Sequence, residues 1–197
     1  MRTDEDRIVT IPNVISIVRL ACVPLFLWLL FAQDDRLEAA WLLAALGATD
    51  WVDGYIARHF NQVSNVGKVL DPTADRIMLA VGVIALMVDG SVPMWVGVLT
   101  LVREVLVSAA VLFLAAMGAR RIDVQWVGKA GTFALMFAYP FFLLSHAGTS
   151  VDDAARVAAW LCAIPGLLLS YYAAATYVPL ARQALAEGRA QKEVPVP

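Results

Sequence analysis

The sequence predicts an all-α integral membrane protein, with six transmembrane helices around a cytoplasm-facing polar cavity. Three observations lead there. Of the 197 residues, 60% are hydrophobic and only 16% are charged, an apolar excess beyond what an ordinary soluble domain buries. Six apolar runs lie at 12–32, 37–57, 69–89, 92–117, 130–147 and 155–181, each close to the ~20 residues that carry a helix across about 30 Å of hydrocarbon. With the N-terminus in the cytoplasm, the inside segments hold Arg2, Arg7, Arg58, Lys68, Arg120, Arg121, Lys129, Arg182, Arg189 and Lys192, against Arg36 and Arg156 outside. That basic bias orients the chain.

The first run follows MRTDEDRIVT and is too long for the apolar region of a signal peptide, so it is expected to remain as helix one. Residues 1–11 form a cytoplasmic or interfacial segment, with Ile8 and Val9 dipping into the bilayer. Runs two and three carry Ala39, Ala40, Ala44, Gly47, Ala80, Gly82 and Ala85. Small side chains let helices approach closely in lipid, so these two runs are predicted neighbours. Run four holds Arg103 beside Glu104, and runs five and six contain Pro140 and Pro165, which kink helices unless the freed carbonyls find partners. Residues 183–197 are polar, end in proline and read as a frayed tail, which leaves one six-helix domain at 12–182.

Cys22 and Cys162 lie inside separate apolar runs and form neither a disulfide framework nor a metal spacing. His146 lies at the opposite membrane face from the acidic segment, with no partner evident in the sequence. A net charge of −2 provides no electrostatic footprint for nucleic acid.

Residues 50–75 read DWVDGYIARHFNQVSNVGKVLDPTAD, placing four carboxylates where runs two and three meet a short polar loop. Charge inside a membrane costs ~2.5–3.5 kcal/mol per group at mid-bilayer, so such residues need metal, cations or water around them. At 3.6 residues per turn, Asp50, Asp53, Gly54 and Ala57 share one face of a helix, as do Gly67, Asp71 and Asp75 on the next. The short connection at about 59–66 predicts that the four carboxylates converge. A cluster of oxygen donors suits one or two hard cations, Mg²⁺ or Mn²⁺, which keep open positions for substrate phosphates. Gly54 and Gly67 leave backbone bare for a nucleotide or pyrophosphate, and Arg58 offers phosphate a planar fork.

The pattern D-x-x-D-G-x-x-A-R, eight residues, then G-x-x-x-D-x-x-x-D is complete here, and it resembles the signature of the CDP-alcohol phosphotransferases. The resemblance implies transfer of a substituted phosphate from a CDP-linked donor to an alcohol, with release of CMP. It implies that Asp50, Asp53, Asp71 and, for a second ion, Asp75 ligate metal. Asp75 would be the general base, while Asp53, Gly54, Ala57, Arg58 and Gly67 would line the site for cytidine diphosphate. It also implies a homodimer in the cell membrane with its active site facing the cytoplasm.

The segments IPNVISIVRL, VREVLVS and WVGKAGT resemble the branch of bacterial phosphatidylglycerophosphate synthases and their actinobacterial relatives. That branch implies CDP-diacylglycerol as donor and glycerol 3-phosphate as acceptor. Arg103, Arg120, Arg121 and Lys129 are the candidate cations for a phosphorylated acceptor, with Arg19 a further candidate, since arginine in an apolar span faces a polar interior. Phosphatidylglycerol as acceptor, giving cardiolipin, is the alternative and needs room for a second lipid. Inositol phosphate is a third. A prenyltransferase would need a second aspartate cluster that the chain lacks. A cation transporter would place its acidic residues near mid-bilayer on broken helices. Replacement of Asp75 by Asn is expected to spare folding while abolishing CMP release.

Overall fold

In the computed structural model the backbone is described over residues 11–60, 67–116 and 126–192, and side chains over 17–49, 75–110, 112 and 126–176. Six helices are present among these residues: α1 (Ile11–Phe31), α2 (Arg36–Phe60), α3 (Gly67–Asp89), α4 (Met94–Ala116), α5 (Trp126–Leu144) and α6 (Asp152–Lys192). Each coincides with one of the six apolar runs. Ile8, Val9, Arg120, Arg121 and the loop residues 61–66 lie outside the described residues.

The helix ends follow from local polar chemistry. Asp35 accepts the Glu38 N–H at 2.9 Å and so caps α2. At the end of α3, Gly90 adopts φ 82°, which lets the Val92 N–H reach back to the Leu86 carbonyl at 3.2 Å. Before α6 the Asp152 carboxylate accepts both the Thr149 N–H at 2.9 Å and the Thr149 hydroxyl at 2.7 Å, fixing the turn that leads into the helix. α6 itself runs for 41 residues, about 60 Å at 1.5 Å per residue. Residues 183–192, read from sequence as a frayed tail, are therefore helical. α5 starts four residues earlier than the apolar run that announces it, because WVGK has nothing that stops a helix. Both α5 and α6 continue through Pro140 and Pro165.

Large apolar side chains such as Trp41, Val88, Val105, Leu161 and Leu168 point outward, while Ala39, Ala138, Ala159 and Ala163 are fully buried. This is the distribution expected where the surroundings are lipid and packing depends on close approach of small residues. Among the described residues, Trp126–Leu144 and Asp152–Thr176 are long and apolar enough to cross a membrane.

α5 packs most extensively on α6; α1 packs on α2 and α3, α2 also on α5, and α4 on α3 and α6. The expected close packing of α2 on α3 is not found among the described residues, where the two helices meet through an ion pair at one end. The small residues of α2 serve other neighbours instead: Gly47 faces Met136 of α5, so close that a Cβ would meet that side chain at 2.8 Å. The gap between α2 and α3 becomes a cavity.

A bidentate ion pair closes one end of the bundle. Arg36 at the start of α2 donates from Nη2 and Nε to Asp89 at the end of α3, at 3.0 and 3.2 Å. Ser91 donates to the same carboxylate. Two parallel bonds to a carboxylate 5% exposed hold these helix ends in register. His146, which had no evident partner in the sequence, sits 3.0 Å from the Phe142 carbonyl and 3.1 Å from the Ser145 hydroxyl.

Candidate active site

The eight motif positions fall on two unbroken helices. Asp50, Asp53, Gly54, Ala57 and Arg58 occupy the last turns of α2, and Gly67, Asp71 and Asp75 the first turns of α3. Helical register keeps each group on one face. Of these residues only the Asp75 side chain is described; the side chains of Asp50, Asp53, Ala57, Arg58 and Asp71 lie outside the described residues. The donor set is wholly carboxylate oxygen, which fits a hard divalent cation. No group of three or more metal-binding side chains occurs among the described residues.

Asp75 accepts a hydrogen bond on Oδ1 from Nη1 of Arg19, forming an ion pair between α3 and α1. Arg19 is buried at 2% exposure and Asp75 is 42% exposed. A guanidinium stays charged at any physiological pH, so its burial demands a counter-charge, and the motif aspartate supplies one. The sequence marked Arg19 as facing a polar interior, but its partner lies 56 positions away, beyond any local pattern.

Asp75 also borders a cavity of about 200 Å³ between α2, α3 and α5. Leu43, Met78, Leu79, Val83 and Met136 make most of its wall apolar, with Thr132 and Tyr139 as polar members beside Asp75. The cavity follows α3 from Asp75 to Leu86, about 16 Å of helix rise. The expected polar cavity is thus largely apolar where it is described. Tyr139 spends its hydroxyl on Thr100 at 2.6 Å, and Thr132 donates to the Gly128 carbonyl at 3.0 Å.

Arg103, a candidate for the acceptor, is tied to its own surroundings. Nη1 lies 3.0 Å from Glu104 and Nη2 donates to Thr132 at 3.3 Å. Adjacent helical residues point apart at Cβ, but the two long side chains span that separation. Arg76 approaches the same glutamate at 3.7 Å. The sequence singles out Glu104 beside Arg103 but neither Arg76 nor Thr132; a cation near the start of an apolar span was the signal that could have drawn attention to Arg76. The Arg103 Nε is buried with no hydrogen-bond partner among the described residues. Lys129 is exposed in the first turn of α5.

Comparison with known proteins agrees with the motif. The family described as CDP-alcohol phosphatidyltransferase matches residues 9–171. A protein of Streptomyces coelicolor named "Cardiolipin synthase (CMP-forming)" is 38% identical over 92% of this chain and 87% of its own length. Two proteins named "CDP-diacylglycerol--glycerol-3-phosphate 3-phosphatidyltransferase" are also similar. The one from Rickettsia bellii is 31% identical over 87% of this chain and 94% of its own. The one from Bacillus subtilis is 33% identical over 69% of this chain and 77% of its own.

Proposed function

The chain belongs to the CDP-alcohol phosphatidyltransferase family, and on that premise we propose that it transfers a phosphatidyl group from CDP-diacylglycerol to phosphatidylglycerol, forming cardiolipin and CMP. The observation that carries the reaction class is the unbroken aspartate motif on two helices, with Asp75 at the mouth of a cavity. For the acceptor, the support is the 38% identical cardiolipin-forming relative together with the apolar cavity wall, which suits a lipid better than a small anion. Arg19 and Arg103, two cations once open to an acceptor phosphate, are engaged by Asp75 and Glu104.

In this reading residues 12–182 form the catalytic domain, a six-span bundle in the cell membrane with its site toward the cytoplasm, working as a homodimer. Asp50, Asp53 and Asp71 would hold one or two ions of Mg²⁺ or Mn²⁺, with Asp75 a further ligand for a second ion. Such an ion, when bound, offsets the pyrophosphate charge and stabilises the departing CMP. Asp53, Gly54, Ala57, Arg58 and Gly67 receive the cytidine diphosphate, Arg58 pairing with phosphate. Asp75 takes the proton of the acceptor hydroxyl as it attacks phosphorus. Chelation with EDTA is expected to stop CMP release, and added Mg²⁺ or Mn²⁺ to restore it. Turnover that persists in EDTA would remove the metal from the mechanism.

Glycerol 3-phosphate is the second reading, favoured by the Rickettsia and Bacillus relatives and by the basic residues Arg120, Arg121 and Lys129. The deciding experiment incubates the purified protein with CDP-diacylglycerol and each acceptor separately, with products identified by mass spectrometry. Cardiolipin is the expected product. Phosphatidylglycerophosphate alone would transfer the assignment to the second reading.

A further inference from the structure

Arg19 is the largest fully buried side chain among the described residues. A residue placed only to anchor a helix would extend its charge toward water; this one turns inward from α1 to α3 and ends on Asp75. The carboxylate it meets is the one that also borders the cavity. Asp75 therefore has Arg19 behind it and the reaction space in front.

We propose that Arg19 is a positioning residue for phosphatidyl transfer: through its hydrogen bond to Oδ1 it aims the Asp75 carboxylate at the acceptor hydroxyl. The inference rests on the proposed function above. In the step it serves, the acceptor O–H bond breaks and its proton passes to Asp75. The acceptor oxygen bonds to the phosphatidyl phosphorus, and the bond from phosphorus to the CMP oxygen breaks, its electron pair leaving with CMP. Arg19 touches neither substrate. Its contribution is orientation, for which a planar fork suits a carboxylate better than the point charge of lysine. A proton acceptor displaced by about 1 Å costs on the order of 100-fold in rate.

The test measures CMP release by the full chain in detergent or vesicles for Arg19→Lys and Arg19→Gln, with melting temperatures to establish folding. Arg19→Lys keeps the buried charge and is expected to lower kcat by about tenfold or more, while KM for CDP-diacylglycerol stays within about twofold. Arg19→Gln is expected to lower kcat further, again without raising KM. Wild-type kcat in either variant would overturn the proposal, as would a raised KM at unchanged kcat, which would make Arg19 a substrate-binding group. Failure of both variants to fold would assign Arg19 to holding α1 on α3 and would equally overturn it. A wild-type protein that releases no CMP with any acceptor would instead defeat the proposed function, and this inference with it.

Discussion

Asp75→Asn is expected to lower CMP release by about 100- to 10,000-fold, the range that a positioned general base contributes. Asn matches the shape of Asp and can still accept a hydrogen bond from Arg19, so the cavity mouth keeps its form. What disappears is the charge that accepts the proton in the proposed mechanism. The variant also loses stability, because Asp75 is the counter-charge to the buried Arg19 guanidinium. Breaking a fully buried pair costs about 3–5 kcal/mol. With Asp75 42% exposed, water screens part of that, and about 1–3 kcal/mol is the appropriate scale. The expectation from sequence alone, that Asn would spare folding, changes once Arg19 is known to lie against it. Kinetic assay and thermal unfolding of the same preparation test both effects. Activity near wild type would remove Asp75 from the chemistry, and an unchanged melting temperature would show the ion pair to be worth little.

Gly131→Ala is expected to destabilise the bundle by about 1–3 kcal/mol. On α5 this glycine faces α6 so closely that an added Cβ would lie 2.5 Å from the Ser170 hydroxyl, 2.8 Å from the Ser170 nitrogen and 3.0 Å from the Gly166 carbonyl. The hydroxyl could rotate away, but the two backbone atoms cannot, so the helices must part. Alanine gains roughly 1 kcal/mol of helix propensity over glycine, which offsets only part of the overpacking. Gly82→Ala is the matched control: its Cβ would meet nothing within 4 Å, so the propensity gain should stand alone. A Gly131→Ala protein that melts no lower than wild type, while Gly82→Ala melts higher, would show that α5 and α6 yield more easily than their contact implies.

The six helices were legible because each coincides with an apolar run of helix length, and those runs predict nearly every described boundary within four residues. The exception is the end of α6, where polar, alanine-rich residues continue a helix that hydropathy alone would stop. The motif was legible too, since spacing along a helix fixes which side chains share a face. Less legible was what each face meets. Small residues on α2 and α3 suggested mutual packing, whereas Gly47 receives Met136 and Gly82 opens on the cavity. Small size permits close approach without naming the partner. Arg103 illustrates the same limit: it was conspicuous as a cation in an apolar run, and its engagement with Glu104 and Thr132 depends on side-chain reach and the position of α5.

By itself the sequence determined the six helices found among the described residues and the aspartate motif that names its family, because hydropathy and helical register are local properties that neighbouring residues impose on one another. Tertiary structure alone decided that Arg19 backs Asp75, that α2 and α3 flank a largely apolar cavity, and that Gly131 lies against α6. Each of these is a meeting between helices distant in sequence. Which helices meet depends on how the whole set of faces packs together, and no single segment carries that information.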